Sequence, residues 1–366
     1  MFSIFKRPVV ARQELTFKAR VRSFWKWYSE VAPRFYQTIE DKKCPELAAE
    51  VGAKIDELLP GFAWVFGPGA NGNGHSFTLS GEGVLHRQLL AMFWHSQAPN
   101  LSGWTFYAAR QPGSIKGQRI EIGGNSFDPI AFWVTPCVNR EREKMDLNVW
   151  HPLFSSMKEQ DRWTILFLFL DEVLGELGTQ QWIGEIKLDD QQFANAIPLE
   201  ELRPFLNKLE AETGWKKYPP GELGVVYKLK EQDQFFLRSD TIAGSTTDEP
   251  LIQEYLAAKG ELSDPLLGTG ADYVFVSFDA NFLPAGKQSE TRGVIEDALA
   301  KALKQDSNGQ SLGGALGTQN AYIDLLLFDG VNSLETVRRV LAAQDLPVGT
   351  AINYFAKEKR GFRIVL

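Results

Sequence analysis

The chain's best-placed chemistry lies in the stretch LFLFLDEVLGELG, residues 166–178. Asp171, Glu172 and Glu176 follow an apolar run there, and Glu185 comes soon after. On one continuous helix Glu172 and Glu176 are four residues apart and repel each other. Acids placed beside apolar residues suit acid/base catalysis or cation binding. With His151 they form the candidate set for a hydrolase, with or without a divalent cation. The plainer alternative uses Leu166, Phe169, Leu170, Val173, Leu174 and Leu177 as a core stripe and turns Glu172 and Glu176 to water.

Other chemistries find less support. His86 and His95 are nine residues apart, and so miss the spacing of four that puts two zinc ligands on one helix face. His75 and His151 are isolated, and Cys44 and Cys137 have no CxxC spacing, so no metal site is expected. There is no GxSxG elbow. Cys137 reads as a buried, inert thiol. The glycine-rich stretch GQSLGGALGTQ, residues 309–319, matches neither GxGxxG nor GxxxxGK[ST] and precedes a strand instead of a helix. It reads as an edge or bulged strand, open to a second copy of the chain, and no nucleotide or other cofactor is expected.

Aromatic residues supply the binding candidates. All ten Trp lie at or before Trp215, as do all four His, all four Met and both Cys. Trp and Tyr favour interfaces. Trp27, Trp94 and Trp150, with Arg110 as a polar partner, are therefore expected to form a protein-binding surface. The chain has 366 residues and a net charge of -7, spread over both halves. That balance disfavours nucleic acid. One basic patch, Lys6, Arg7, Arg12, Lys18, Arg20, Arg22 and Lys26, reads as a solvated arm and first helix turn. No secretory signal or membrane-length apolar run is visible, which with two cysteines points to the cytoplasm. The oligomeric state stays open.

These residues must be positioned by a mixed α+β chain of two α/β-sandwich domains. A flexible basic arm, 1–16, precedes an aromatic-rich domain, 17–213, and a second domain, 214–366. The boundary is drawn at Gly214 and Tyr218-Pro219-Pro220-Gly221, where Trp, His, Cys and Met stop. The first domain opens on helical spacing over 17–39, broken near Pro33, and a helix over 45–59. Strands at 62–66 and 76–79 flank an Asn-Gly-rich turn, and a helix covers 85–96. A helix over 162–177 leads to a strand at 182–188. In the second domain, strands at 225–229 and 235–238 and a helix over 249–259 precede a βαββαβ run. The whole reads as a ferredoxin-like plait with an extra N-terminal hairpin and helix.

Four stretches of the first half also carry a resemblance: FWKWYSE at 24–30, HSFTLSGEGV at 75–84, APNLSGWTFYAARQP at 98–112, and LDEVLGELG with IGEI within 170–186. In this order they resemble an uncharacterised family of bacterial cytosolic proteins over residues 20–190. The family has no assigned activity, so the resemblance implies a bacterial cytosolic setting and no functional residues. The sequence favours a non-catalytic binding or regulatory protein, immunity- or inhibitor-like in one version. The hydrolase and a structural homo-oligomer are the alternatives.

Overall fold

The computed structural model describes residues 15–117, 119–122, 125–230 and 236–366. Most of the expected basic arm, including Lys6, Arg7 and Arg12, lies outside the described residues. Two compact units emerge: one combines residues up to Pro60 with Gly221–Leu366, the other is Gly61–Pro220. The sequence boundary near 213 falls close to the second junction. The first junction, at residue 60, has no counterpart in the sequence reading, which placed the first two helices with the aromatic-rich half.

Helix α1, Phe17–Glu40, opens on a Thr16 cap whose hydroxyl accepts from the Ala19 amide. Pro33 does not break it. Proline normally kinks a helix. Here Phe17, Val21, Phe24, Trp25, Tyr28, Ala32 and Phe35 form one buried stripe that runs past Pro33, so burial on both sides keeps the helix in register. Helix α2, Ala48–Leu58, follows a short 3-10 turn at Cys44–Leu47.

The Gly61–Pro220 unit then begins. Strands β1 (Ala63–Pro68) and β2 (His75–Ser80) form an antiparallel hairpin. Helix α3, Leu85–Ser96, crosses over to β3, Trp104–Tyr107, which pairs parallel to β2. A two-stranded ladder follows, β4 (Ile120–Ile122) with β5 (Asn125–Phe127). Strands β6 (Trp133–Asn139) and β7 (Lys144–Trp150) form a second hairpin. Helices α4 (Glu159–Leu174) and α5 (Glu176–Trp182) lead to β8, Ile183–Asp189, parallel to β7. Strand β9, Ile197–Pro198, completes the order β8-β7-β6-β9, and α6, Leu202–Thr213, closes the unit. Its core joins Val134, Leu147 and Val149 of the sheet to Leu166, Phe169 and Leu170 of α4 and Leu202 and Leu206 of α6.

In the other unit, β10 is Val225–Lys228 and β11 is Thr241–Thr246. The second strand expected at 235–238 is displaced. Phe235 lies outside the described residues, and 236–238 belong to a turn in which Arg238 adopts φ 74. Helix α7 (Glu249–Ala257) and strand β12 (Asp272–Asp279) precede helix α8 (Gln288–Gln305). Strands β13 (Gly309–Gly317) and β14 (Asn320–Leu327), helix α9 (Gly330–Ala342), and strands β15 (Ala351–Tyr354) and β16 (Ile364–Val365) follow. The sheet order is β10-β11-β13-β14-β12-β15-β16, every pairing antiparallel.

Strand alternation divides β12 between two layers. Val274, Val276 and Phe278 pack with Ile295 and Leu299 of α8 and Val337 and Leu341 of α9. On the opposite face Phe275 meets the Tyr255 ring of α7 at 6.1 Å. Helix α1 is tied to this unit by Phe17 N–H to the Gly270 carbonyl and Lys18 N–H to the Phe328 carbonyl, each 2.9 Å.

The glycine-rich strand is not the open edge its sequence suggested. It lies between β11 and β14. Gly313, at φ 116, sits at a register shift between β13 and β14, and a side chain there would strike the Ser245 carbonyl of β11; a side chain at Gly314 would strike Arg292 and the Tyr322 carbonyl. Glycine is needed because the neighbours on both sides are in contact, which removes the basis for oligomerisation through this strand. Among the described residues no helix is long and apolar enough to cross a membrane.

Candidate functional site

The candidate carboxylates are separated by a break in the helix that carries them. Gly175, at φ 78, ends α4, and Glu176 begins α5. A side chain at Gly175 would press on Pro112 and the Arg110 carbonyl, so close approach as well as positive φ selects glycine. The bend lets the Glu176 amide donate to the Arg110 carbonyl at 3.1 Å, while the Arg110 amide donates to Glu176 Oε2 at 3.3 Å.

Glu176 is consequently buried, at 3% exposure, and does not face water. Ser80 Oγ donates to its Oε2 at 2.7 Å. The Gly83 amide and Gln88 Nε2 donate to Oε1 at 3.1 and 3.0 Å. With the Arg110 amide, four donors converge on one carboxylate, which removes the usual objection to burying an acid. Glu176 thus ties the end of β2, the first turns of α3 and the segment after β3 to α5. Its occupied lone pairs make it a poor proton shuttle.

Asp171, in the last turn of α4, is half-buried. Burial raises its pKa, and the charge of nearby Glu176 adds to that. A hydrogen bond from Thr179 and the Arg110 charge act the other way. Arg110 itself pairs with Glu82, in the turn after β2. These groups line the polar end of a cleft of ≈ 500 Å³, and Phe167, Leu168, Ile183 and Ile186 line its apolar side. Phe167 and Leu168 are 44% and 36% exposed, and the Phe167 ring stacks on Trp163 at 6.0 Å.

Among the expected catalytic residues, the cleft brings together Asp171 and Glu176 and adds Arg110 from the binding set. Glu172 lies outside it, half-buried, with its backbone carbonyl accepting from the Gly113 amide at 2.6 Å. Glu185 is exposed and pairs with Arg142 at 3.2 Å, although its neighbours Gly184 and Ile186 line the cleft. His151 is in the core, its ring centroid 4.4–5.6 Å from those of Phe127, Phe132 and Phe154. Its Nδ1 accepts from the Leu153 amide, and desolvation lowers its pKa to about 4. It is a poorly placed partner for the cleft acids.

The tryptophan set is dispersed. Trp94 is fully buried, its ring against Phe77 and Phe106. Trp150 is half-buried opposite Trp133 on the neighbouring strand. Trp27 is half-buried beside Phe24, Tyr28 and Phe35, with Lys54 Nζ 5.8 Å from its ring. Cys137 is exposed, contrary to expectation, because it sits near the solvent end of β6. Among the described residues no three His, Cys, Asp or Glu are grouped to hold a metal ion.

Ser80, Glu82, Gly83, Gln88 and Thr179 escaped the sequence reading. The signal available for the first three was SGEG directly after a strand, an acid between two glycines. Nothing local marks Gln88 or Thr179.

Fold and site together define a two-unit mixed α+β protein with a cleft that is apolar along one side and acidic at one end. The chain matches no protein-family model, no curated protein and no solved structure.

Proposed function

We propose that the chain is a non-catalytic binding or regulatory protein of the bacterial cytoplasm. In this reading it holds a short segment of a partner protein in the cleft of the Gly61–Pro220 unit. The observation that carries the reading is the pairing of exposed Phe167 and Leu168 with a polar end where Glu82, Asp171 and Glu176 outnumber Arg110. Exposed large apolar side chains beside fixed charges are the anatomy of a recognition site. The excess of carboxylates selects a segment that offers an apolar residue and a Lys or Arg. An immunity- or inhibitor-like role is one concrete form. Residues 272–354 fit a ferredoxin-like plait, with strand order second-third-first-fourth, preceded by the extra hairpin and helix; this topology supplies a scaffold and no activity.

A hydrolase is the second reading, carried by the raised pKa of Asp171 in a cleft. It lacks a second free acid, because Glu176 is held by its four donors. The reading as a protein-binding cleft is tested by selecting random peptides on the full chain. Enriched peptides should pair an aromatic or aliphatic residue with a basic one, and Phe167→Ala should weaken them about tenfold, the scale of one interface anchor. Selection without such a consensus, or binding indifferent to Phe167→Ala and Asp171→Asn, overturns it.

A further inference from the structure

The four-stranded sheet of the Gly61–Pro220 unit ends on β8, which pairs with β7 alone among the described residues. An edge strand carries a row of backbone N–H and C=O groups without a partner strand, and proteins usually blunt it with proline, a bulge or inward-turned charges. In β8 the register shifts where Gly184 and Glu185 pass Asp146, but residues 186–189 run regularly beside 147–150. No proline lies between Ile183 and Asp189. The exposed charges Glu185 and Lys187 alternate with Ile186 and Leu188, which pack against the core. The charges therefore point away from the core face and leave that side of the edge unguarded.

The core layer runs past that edge. Ile165, Leu166, Phe169 and Leu170 bury one side of α4 in the core it shares with the sheet. Thr164, Phe167, Leu168 and Asp171, three and four residues apart, form a neighbouring stripe. That stripe lines one cleft together with Gly184 and Ile186 of β8. Its apolar members are open to solvent, and at the polar end the Glu82 and Arg110 side chains are 44% and 32% exposed. The groups at that end converge closely enough for Asp171 to feel the charges of Glu82, Arg110 and Glu176. The cleft lies where the side chains of one more strand would continue the layer between sheet and helix.

We infer that the partner segment binds here in extended form, as a strand added to the free edge of β8. The inference rests on the reading of this cleft as a peptide-binding site and specifies the form of the bound peptide. Backbone groups of the segment pair with the edge, and its alternate side chains enter the cleft. One of these is apolar and meets Phe167, Leu168 and Ile186. The next in phase, two residues away, is Lys or Arg and meets Asp171. Arg110 already pairs with Glu82, so the cation for Asp171 must come from the partner. A helical segment would satisfy its own backbone groups and leave the β8 edge unpaired.

The test uses a peptide selected on the full chain, remade with one backbone N-methyl group at each position in turn. Calorimetry should show affinity falling about tenfold at every second position and little change between, because only alternate amides of an added strand point at its neighbour. The apolar and basic residues of the consensus should be two apart, and amide hydrogen exchange across residues 183–189 should slow when the peptide binds. N-methyl effects without a two-residue period, or unchanged exchange across β8, overturn strand addition. If Phe167→Ala still weakens the peptide in that case, the cleft reading stands and the strand alone is rejected. If no consensus emerges, or Phe167→Ala and Asp171→Asn leave binding unchanged, the cleft reading fails and takes this inference with it.

Discussion

Arg238 and Asp324 form a buried, two-bonded ion pair within the unit that carries the seven-stranded sheet, at 1% and 0% side-chain exposure. The guanidinium carbon lies 4.9–5.2 Å from the ring centres of Phe275, Tyr322 and Phe355. Burial alone would favour loss of the charge, but the Asp324 carboxylate outweighs it and raises the Arg238 pKa. The pair explains why Arg238 accepts a left-handed backbone at φ 74: its turn must deliver the head group to β14. Asp324→Ala leaves a charge among three rings and should cost about 3–5 kcal/mol, whereas Arg238→Met with Asp324→Leu should cost far less. Urea denaturation of both variants decides. Equal losses would show that side-chain volume matters at this position and the charge does not.

Glu176 plays a comparable part in the other unit, with neutral donors in place of a cation. In Glu176→Gln an NH₂ group replaces one oxygen and faces two of the four donors that now converge there. The expected loss is about 2–4 kcal/mol, one or two buried polar groups left unsatisfied. Chemical denaturation measures it. A loss below about 0.5 kcal/mol would mean the cluster relaxes freely, and the anchoring role would fall.

How far the sequence revealed these arrangements depends on whether the determinant was local. The helix at Leu85–Ser96 and the βαββαβ order over 272–354 were legible because apolar spacing and turn residues specify them directly. Helix α1 was misread at Pro33 because its integrity comes from a long buried stripe that outweighs one missing amide. The glycines of β13 signalled close approach correctly, but not that the approaching chains are β11 and β14 of the same sheet. At the site, the acids of 171–176 were conspicuous, yet their roles turn on Gly175. Counting four residues from Glu172 to Glu176 presumes one helix, and positive φ at Gly175 removes it. Trp94 shows the limit of composition: residue type says nothing about which side of α3 faces Phe77.

Gly175 gives a direct test of that bend. In Gly175→Ala a Cβ must fit 2.9 Å from Pro112 Cδ and 3.0 Å from the Arg110 carbonyl oxygen, at φ 78. Strain and displacement together should cost about 2–3 kcal/mol. The change should also loosen the Arg110–Glu176 backbone exchange, seen as faster amide hydrogen exchange at Arg110 and Glu176. Unchanged exchange at both amides would show that the bend is set elsewhere.

The last expectation concerns acid stability and rests on His151. Its folded-state pKa is about 4 against an ordinary 6.5, because the imidazole is desolvated among Phe127, Phe132 and Phe154. Above pH 6.5 the ring is neutral in both the folded and unfolded chain, and pH has no leverage through it. Between 6.5 and 4 the unfolded chain takes up a proton that the folded chain refuses, so stability falls as pH falls. Below 4 both states are protonated and the loss is complete, at most about 3 kcal/mol. Carboxylates titrate over part of the same range, so the informative quantity is the difference between the native chain and His151→Leu. The leucine removes the Nδ1 acceptor of the Leu153 amide and should impose a pH-independent cost of about 1 kcal/mol. From pH 7 to pH 4 that cost should shrink and then reverse, because only the native chain loses stability through residue 151. Urea midpoints at pH 7, 5.5 and 4 measure the crossing. Parallel stability curves would mean the histidine is protonated in place, and the reading of a neutral ring in an aromatic cage would be wrong.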